Sequence, residues 1–432
     1  MILPVPSNLP PTLDAATNHT PTSVIPAIPL AEFSSPTHST DQRTQLLASL
    51  RAALLDTGFL YLTDLDHHLP PSLIYRLVAL LPRIFLDLTL EEKATAALIN
   101  TPHFLGYSSF GTETTAGGKD WREQIELSGD DFLDAGLRVV NGNGNLKAGT
   151  HDREKQPLYA RLRGPNQYPD FDGRDEMKAV VGEYINAAQN IAAEFLALVN
   201  EALGLEPGVL EGFARGGQDR LKLVHYRIGD DESASTHENG LAGSNGSANG
   251  TLANGSSVAT TTNGGAITPS EKYIQGVGPH KDSSGWLTFL LQASPSTRGL
   301  QALSKSGACL VVNMGQAFEA ATNGVCKATT HRVLLPASGD GKSQGSRYSV
   351  PFFMGVRPSL TKGELKGLWE HFDEKRWGTR ESEEGMRVDS PFLRGEGYGC
   401  WGEAQLRTKI RSHRDVGKRW YGDVYEKYVE EG

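Results

Sequence analysis

Three side chains in the second half of the chain have the chemistry to hold a metal ion. His280 and Asp282 lie two residues apart in Gly278–Gln292, which has the pattern of a strand, and alternate strand residues point to the same face. His331 follows later, in Thr329–Leu335. Two imidazoles and one carboxylate can occupy one face of an octahedral ion and leave the other face open, which suits Fe(II). A lone histidine is also common in cores and on surfaces, so the assignment needs support from other residues.

A second pair could bind an organic anion. Arg347 and Ser349 are alternate residues of Arg347–Phe353, so both point to one face of the predicted strand. A guanidinium offers two parallel donors to a carboxylate, and a hydroxyl beside it adds a third. The alternative is that Arg347 forms a structural ion pair with a neighbouring acid.

These side chains need a scaffold, and apolar periodicity predicts helices first and strands later. An extended segment is expected at Ile25–Phe33. Helices are predicted over 41–57 with a stop at Gly58, over about 72–86, from Thr89 onward and over about 174–203. Strands are predicted at Phe59–Leu62, Leu221–Ile228, Trp286–Gln292, Leu310–Asn313 and Arg347–Phe353. The order indicates a helical layer packed on a β core, and the helical end after about residue 360 shows no chemistry of its own.

Two segments have compositions that cannot form a core. Residues 1–24 are rich in Pro, Thr, Ser and Asn, and residues 239–270 contain no charged residue and little except Asn, Gly, Ser, Ala and Thr. Such segments bury too little apolar surface to offset the entropy of ordering. We predict a disordered tail over 1–24 and a disordered insertion over about 231–270. The insertion is interpreted as a tolerated surface loop, with a lid over a site as the alternative.

The composition limits the classes of partner. The 51 acidic residues exceed the 42 Lys and Arg, which gives a formal net charge of −9 and argues against nucleic acid and anionic membranes as partners. Three cysteines exclude a disulfide scaffold and suit a reducing compartment. No apolar run approaches the roughly 20 residues of a membrane span, and no signal peptide is recognisable. We therefore expect a cytoplasmic protein without an obligatory protein partner.

The order of the site residues resembles the Fe(II)/2-oxoglutarate-dependent dioxygenases of the isopenicillin N synthase-like group. The resemblance rests on His280-x-Asp282, then His331, then Arg347-x-Ser349. Further segments similar to that family occur in the same order over roughly residues 22–360. They are Thr57-Gly-Phe-Leu-Tyr61, Gly106-Tyr107, Asp120-Trp-Arg-Glu123, Gly299-Leu-Gln301, Asn313-Met-Gly315 and Thr322-Asn-Gly324.

The resemblance implies an α+β fold with a double-stranded β-helix, or jelly-roll, core flanked by helices. We predict a mostly helical N-terminal dioxygenase domain over 25–210, the jelly-roll core with its insertion over 211–360, and a helical C-terminal extension over 361–432. The tail 1–24 precedes them.

The resemblance also implies the cofactors and the residues that hold them. Fe(II) would be bound by His280, Asp282 and His331, with 2-oxoglutarate and O₂ as co-substrates and ascorbate as an optional further cofactor. The distal carboxylate of 2-oxoglutarate would meet Arg347 and Ser349.

Three aromatic residues complete the site predicted from the resemblance. Tyr226 would reach the distal carboxylate of 2-oxoglutarate, and Phe353 and Tyr107 match positions at the substrate cleft. Each is equally compatible with an aromatic residue of the core.

The sequence departs from the family pattern at three points. Lys281 stands where small hydroxylic residues are common and is expected to point away from iron. Val224 replaces an Asn found in many plant relatives. The interval from His331 to Arg347 is longer than usual, which an enlarged turn at Ala337–Gly345 explains.

The expected function is oxidation of a small organic molecule, by hydroxylation, desaturation or ring closure, with release of succinate and CO₂. The alternatives are an oxidase of the same fold that uses no 2-oxoglutarate, a non-catalytic small-molecule binding protein, and a zinc hydrolase. The composition is compatible with an enzyme of secondary metabolism.

Overall fold

Eight strands form one mixed sheet, and this sheet carries Tyr226, Arg347 and Ser349 of the predicted site. The computed structural model describes residues 25–33, 39–115, 118–129, 138–140, 146–148, 156–228, 273–283, 285–293, 303–304, 307–336, 345–372, 377, 390, 392–393 and 397–430. The predicted tail over 1–24 and the insertion over 231–270, together with the turn after Pro336, lie outside these residues.

The strands are short, and half of the sixteen described belong to one sheet. They are β1 Ala27–Pro29, β2 Phe59–Thr63, β3 Gly106–Ser108, β4 Thr114–Thr115, β5 Gly118–Lys119, β6 Arg122–Ser128, β7 Arg138–Val140, β8 Leu146–Ala148, β9 Arg220–Ile228, β10 Tyr273–His280, β11 Leu287–Gln292, β12 Leu303–Ser304, β13 Gly307–Ala308, β14 Leu310–Met314, β15 His331–Pro336 and β16 Gly345–Phe353.

Seven of the described α-helices lie between strands in the sequence, and four follow the last strand. They are α1 Leu30–Phe33, α2 Thr40–Ala52, α3 Pro71–Pro82, α4 Leu90–Ala94, α5 Arg174–Ala202, α6 Val209–Ala214, α7 Gln316–Ala321, α8 Lys362–Trp369, α9 Trp401–Ser412, α10 Arg414–Trp420 and α11 Gly422–Glu430. Single π turns extend α2 to Thr57 and follow α3 to Asp87.

Local sequence explains where several helices begin and end. Thr89 caps α4 through its hydroxyl, and the Glu92 side chain accepts a hydrogen bond from the Thr89 backbone in return, a reciprocal capping box. Gly58 ends the first helical stretch in the left-handed conformation with φ of 68°. A Cβ there would lie 2.6 Å from the carbonyl oxygen of Lys327, so glycine is required both by φ and by the close approach.

The large sheet has the order β1-β2-β14-β11-β16-β9-β6-β3. Four of its strands come from before residue 210 and four from after it. The sequence pattern predicts extended structure at β1 and β2 but no strand over 106–128, so β3 and β6 are additions. The N-terminal region therefore completes the sheet as well as supplying helices.

A second ladder closes the other side of the site. Strands β10 and β15 pair in antiparallel fashion. Val277 and Leu335 of this ladder pack with Val224 and Tyr226 of β9 in a small buried cluster. We call the space between the large sheet and this ladder the barrel interior.

The opposite face of the large sheet is covered by helices. The predicted helix over 174–203 is confirmed as α5, whose apolar face is buried. Phe195 of α5 meets Phe289 of β11 edge to face, with ring centroids 5.8 Å apart. This contact belongs to the main hydrophobic core of the protein.

The large mixed sheet with its helices confirms the α+β class. Residues Ile25–Gly240 with Glu271–Gly432 form one compact unit, and the division at 210 and 360 stays a prediction. None of the described helices is both long enough and apolar enough to cross a lipid bilayer.

Replacing Phe289 by Ala tests the contact between sheet and helices. Because Phe289 is fully buried, its truncation should lower the free energy of unfolding by about 3–5 kcal/mol, measured by urea denaturation. Tyr75→Ala is the control, because Tyr75 is 65% exposed and its loss should change the free energy by no more than about 0.5 kcal/mol. Equal effects of the two substitutions would contradict this packing.

Candidate metal centre

The three predicted ligands converge at one point. His280 lies directly opposite His331 in the β10–β15 ladder, and Asp282 follows two residues after the first histidine. The Nε2 atoms of His280 and His331 lie 3.5 Å and 3.6 Å from Oδ1 of Asp282. One ligand atom from each residue lies within 4.8 Å of the others. The spacing in the sequence and the strand register thus bring together the donor set expected for Fe(II).

Backbone carbonyls fix the orientation of both imidazoles. Nδ1 of His280 lies 2.8 Å from the carbonyl oxygen of Gly278, and Nδ1 of His331 lies 3.1 Å from that of Thr329. A carbonyl can only accept, so Nδ1 carries the proton and donates in each ring. Both Nε2 atoms are therefore left as lone-pair donors for a metal, as in other histidine metal sites.

The carboxylate of Asp282 is held by two neighbouring strands. Its Oδ2 accepts from the Thr288 hydroxyl of β11 at 2.6 Å and from the Asn313 amide of β14 at 2.7 Å. Burial by itself would raise the pKa of Asp282, but its contacts with His280, His331 and Asn313 outweigh burial and hold the pKa well below its ordinary value. Asp282 is thus an anion with Oδ1 directed at the histidines.

Lys281, between the two ligands in the sequence, takes no part in this cluster. Its ammonium group lies 3.0 Å from both carboxylate oxygens of Glu319 on α7. The departure from the family pattern at this position therefore leaves the ligand face unchanged.

Arg347 is a largely buried cation. Among the described residues, no carboxylate lies within ion-pair distance of its guanidinium, so it has no counter-ion there. One nitrogen donates to Oε1 of Gln292 at 3.1 Å, and its buried Nε has no hydrogen-bond partner. Burial lowers the pKa of Arg347, and the interaction with Tyr226 partly offsets this lowering. The structural ion pair considered for Arg347 is therefore absent from the described residues, and the guanidinium is suited to an incoming carboxylate.

Ser349 and Tyr226 lie beside this guanidinium in the barrel interior. Ser349 is buried and shares a face of β16 with Arg347. Tyr226 pairs with Arg347 across the β9–β16 ladder, and the guanidinium carbon lies 5.3 Å from the centre of its ring. Val224 pairs with Ser349, so an apolar side chain fills the position next to it.

Phe353 lines a cleft whose walls do not include the three metal ligands. It pairs with Thr288, so both side chains point into the barrel interior. The cleft is small, with a volume of about 50 Å³. Its lining includes Phe353, Arg220, Trp401, Gln405 and Tyr159, and the Gln405 amide donates to the carbonyl oxygen of Ser283 at 2.6 Å.

Tyr107 occupies a different place from the one predicted. It belongs to the main core, and its hydroxyl donates to Oε2 of Glu123 at 2.7 Å. Glu123 in turn bonds to His225 and Lys93. The structure therefore ties Tyr107 to a buried polar network and does not bring it to the three ligands, because β3 turns its side chain toward the helices.

Several residues of the site were not found from the sequence. Thr288 and Asn313 orient Asp282, and only the Asn313-Met-Gly315 segment carried a signal for one of them. Helix α9 contributes Gln405 and Lys409, although the C-terminal part shows no recognisable motif. The position of a glutamine or lysine within a helix does not show which distant residue its side chain contacts.

Comparisons with known proteins agree with this geometry. A family model described as the 2OG-Fe(II) oxygenase superfamily matches residues 265–356, and one described as the N-terminal part of non-haem dioxygenases in morphine synthesis matches residues 25–171. The chain is 32% identical to a 2-oxoglutarate-dependent dioxygenase of Dothideomycetidae sp., over 91% of this chain and 92% of the relative. It is 30% identical to a second such dioxygenase, from Gibberella zeae, over 93% and 92%.

The chain belongs to the Fe(II)/2-oxoglutarate-dependent dioxygenases. It is an enzyme that uses Fe(II) and 2-oxoglutarate to oxidise a small molecule. The interpretations as a non-catalytic binding protein, a zinc hydrolase or an oxidase without 2-oxoglutarate are therefore set aside.

Solved structures support the fold of the dioxygenase. A full-length Neurospora crassa protein in complex with alpha-KG is similar with a TM-score of 0.54 at 18% identity, covering 89% of this chain and 95% of that one. A putative 2OG-Fe(II) oxygenase family protein from Caulobacter crescentus has a TM-score of 0.54 at 19% identity, with coverage of 90% and 99%.

The residues present fit both groups that the family uses. Two Nε2 lone pairs and one carboxylate oxygen are the donors that Fe(II) accepts. The buried Nε of Arg347 without a partner fits the distal carboxylate of 2-oxoglutarate.

Thr288→Val tests how Asp282 is oriented. The substitution removes the hydroxyl that donates to Oδ2 while keeping the shape of the side chain, and loss of such a partner typically weakens metal binding by about 10–100-fold. Titration with Mn(II), followed by the electron paramagnetic resonance of the free ion, measures the affinity. Thr408→Val is the control, because its hydroxyl donates only to a helix carbonyl. Unchanged Mn(II) affinity in Thr288→Val would mean that the hydrogen bond does not position the ligand.

Proposed function

We propose that this dioxygenase binds Fe(II) through His280, Asp282 and His331 and oxidises a C–H bond of its substrate, by hydroxylation, desaturation or ring closure. The observation that carries the proposal is a three-ligand cluster with a buried guanidinium, free of any counter-ion among the described residues, in the same barrel interior. A purely structural role would not require free metal ligands and a buried cation without a counter-ion in the same interior.

Each ligand residue has a defined task in holding the metal. His280 and His331 present Nε2 because their Nδ1 atoms are engaged by carbonyls. Asp282 presents Oδ1 because Thr288 and Asn313 occupy Oδ2. Ligands that are fixed before binding lose little conformational freedom when the metal enters, so the site is preorganised.

Arg347 and Ser349 position the co-substrate. The guanidinium can donate two parallel hydrogen bonds to a carboxylate, and the Ser349 hydroxyl on the same face can donate another. The Tyr226 ring lies against the guanidinium. When bound, Fe(II) and 2-oxoglutarate activate O₂, so that one oxygen atom enters succinate as CO₂ leaves and the other oxidises the substrate.

We place the organic substrate beside Phe353, between this cleft and the metal ligands. Aromatic rings of Phe353, Trp401 and Tyr159 form the apolar part of the cleft, and apolar surfaces of this kind exclude water from a reacting centre. Phe353 pairs with Thr288 across the β11–β16 ladder, and the Thr288 hydroxyl donates a hydrogen bond to Asp282. The substrate carbon can therefore lie beside the metal ligands.

The remaining aspects of the function are proposed on the sequence alone. The enzyme acts in the cytoplasm, in secondary metabolism, without a nucleic-acid, membrane or obligatory protein partner. The net charge of −9 and the three cysteines support this proposal.

Anaerobic titration with Fe(II) and 2-oxoglutarate tests the chelate. A weak visible charge-transfer band should appear in the native enzyme and disappear in His280→Ala and Asp282→Ala, because each loses one ligand. His67→Ala, which removes an exposed histidine outside the barrel, should keep the band. A native enzyme that gives no band under these conditions would contradict the proposal.

Arg347→Lys tests the binding of the co-substrate. The lysine keeps the positive charge but loses the forked geometry, so the KM for 2-oxoglutarate should rise about tenfold or more, as expected for loss of a hydrogen bond to a charged group. Turnover of 2-oxoglutarate without added substrate provides the measurement. Arg357→Lys is the control, because Arg357 pairs with Glu364 at the surface and its change should leave KM unaltered. A KM that does not respond to Arg347→Lys would place the co-substrate elsewhere.

A further inference from the structure

A second group of metal-ligating side chains lies outside the barrel interior. His67 and His68 occupy a turn shortly after β2, and Glu194 belongs to α5. One ligand atom from each residue lies within 4.8 Å of the others, the limit that the three iron ligands also meet. In the described part of the chain, no other group of three or more His, Cys, Asp and Glu side chains meets this limit. Neither Fe(II) nor 2-oxoglutarate uses these three side chains.

The backbone of the turn that carries the two histidines is fixed. The N–H groups of His68 and Leu69 donate to the carbonyl oxygen of Leu65 at 2.9 Å and 2.8 Å. Oδ1 of Asp66 accepts from the backbone N–H of Ala308 at 3.2 Å. Leu65 and Leu69 are buried, so they anchor both ends of the turn. The imidazoles therefore project from a rigid segment, and little backbone freedom is lost when a ligand binds.

The carboxylate of this group comes from the long helix α5. Glu194 precedes Phe195, whose ring packs against Phe289 of β11, so the backbone at Glu194 is held against the large sheet. The Glu194 side chain is 26% exposed, and its Oε2 lies 2.6 Å from Nε2 of His68. This contact already joins α5 to the turn after β2.

His67 distinguishes this group from a simple pair of His68 with Glu194. The centroids of the His67 and His68 rings lie 3.9 Å apart, with 43° between the ring planes. His67 is exposed, and its ring forms no hydrogen bond with the described residues. A neutral imidazole has one nitrogen lone pair, so the two rings bring two nitrogen donors to one carboxylate. A simple pair would need only one of the imidazoles.

The donor set selects the kind of ion. Two imidazole nitrogens and one carboxylate oxygen are ligands that Zn²⁺ accepts, with water in the fourth tetrahedral position. Ca²⁺ and Mg²⁺ prefer sites made of oxygen atoms alone. At a given site of this type, Zn²⁺ binds more tightly than Mn²⁺ or Fe²⁺. Zn²⁺ is therefore the ion that this group fits.

Small side-chain movements are enough to close the group on this ion. Ligand atoms about 2.0–2.2 Å from a tetrahedral Zn²⁺ lie about 3.4 Å from one another. The 2.6 Å gap between His68 and Glu194 therefore opens by less than about 1 Å. The other separations, at most 4.8 Å, close by no more than about 1.4 Å, and rotation of the exposed His67 side chain supplies that movement.

We propose that His67, His68 and Glu194 bind a Zn²⁺ ion that joins the turn after β2 to helix α5. The ion is additional to the Fe(II) of the active site and takes no part in the oxidation. Strand β2 pairs with β14, where Phe59 lies opposite Asn313. The zinc ion therefore stabilises the part of the sheet that carries Asn313, which orients the iron ligand Asp282.

Zinc binding by matched variants tests the proposal. The metal-free full chain is dialysed to equilibrium against a series of free Zn²⁺ concentrations up to the micromolar range, and the bound zinc is measured by mass spectrometry. The native protein should bind one Zn²⁺ that is absent, or weakened at least about tenfold, in His68→Ala and in His67→Ala, because losing a ligand costs no less than losing an outer partner. His67 is exposed, so His67→Ala decides the question even where His68→Ala does not fold.

The controls separate this site from the iron site. Glu183→Gln removes another exposed carboxylate of α5, which pairs with Arg76, and should bind as much zinc as the native protein. His280→Ala should lose a different Zn²⁺, because the iron ligands can also hold zinc, and this loss should add to that in His67→Ala. The Fe(II)–2-oxoglutarate band should be the same in His67→Ala and in the native enzyme. Native zinc binding in both His67→Ala and His68→Ala, an equal loss in Glu183→Gln, or loss of the band in His67→Ala would overturn the proposal.

Discussion

The carboxylate of Asp282 joins the two β ladders of this enzyme, and the active site depends on that connection. One oxygen is held by Thr288 of β11 and Asn313 of β14, and the other faces the histidines of β10 and β15. The large sheet and the small ladder must therefore keep a fixed separation. The packed core behind the sheet, including Phe289 against Phe195, resists changes in that separation, since protein interiors are packed as densely as crystals.

The sequence was most informative where chemistry and strand periodicity coincide. The spacing of His280 and Asp282 and that of Arg347 and Ser349 predicted residues on common faces, and the structure places both pairs in the barrel interior. Their order along the chain carried the family resemblance, and the eight-stranded sheet confirmed the α+β class. The long helix α5 was readable because its buried residues recur at helical steps over 29 residues.

The parts that sequence did not reveal share a physical cause. Strand β6 was missed because its inward residues, such as Gln124 and Glu126, are polar and buried, which removes the apolar alternation that signals a strand. The family resemblance predicts Tyr107 at the cleft, but a three-residue strand carries too little pattern to tell its two faces apart. The partners of Lys409 and His413 lie almost 300 residues earlier, and no local rule specifies such contacts.

Helix α9 has a consequence for how relatives of this enzyme can diverge. The metal ligands and Arg347 all lie on or next to β strands, whereas Trp401, Gln405 and Lys409 of α9 line the cleft. Substitutions on this helix that keep the Gln405 bond to Ser283 can reshape the cleft while the reactive centre stays intact. Directed evolution aimed at new substrates therefore has a natural starting point in α9, and exchange of this segment between homologues is a route to altered selectivity with conserved chemistry.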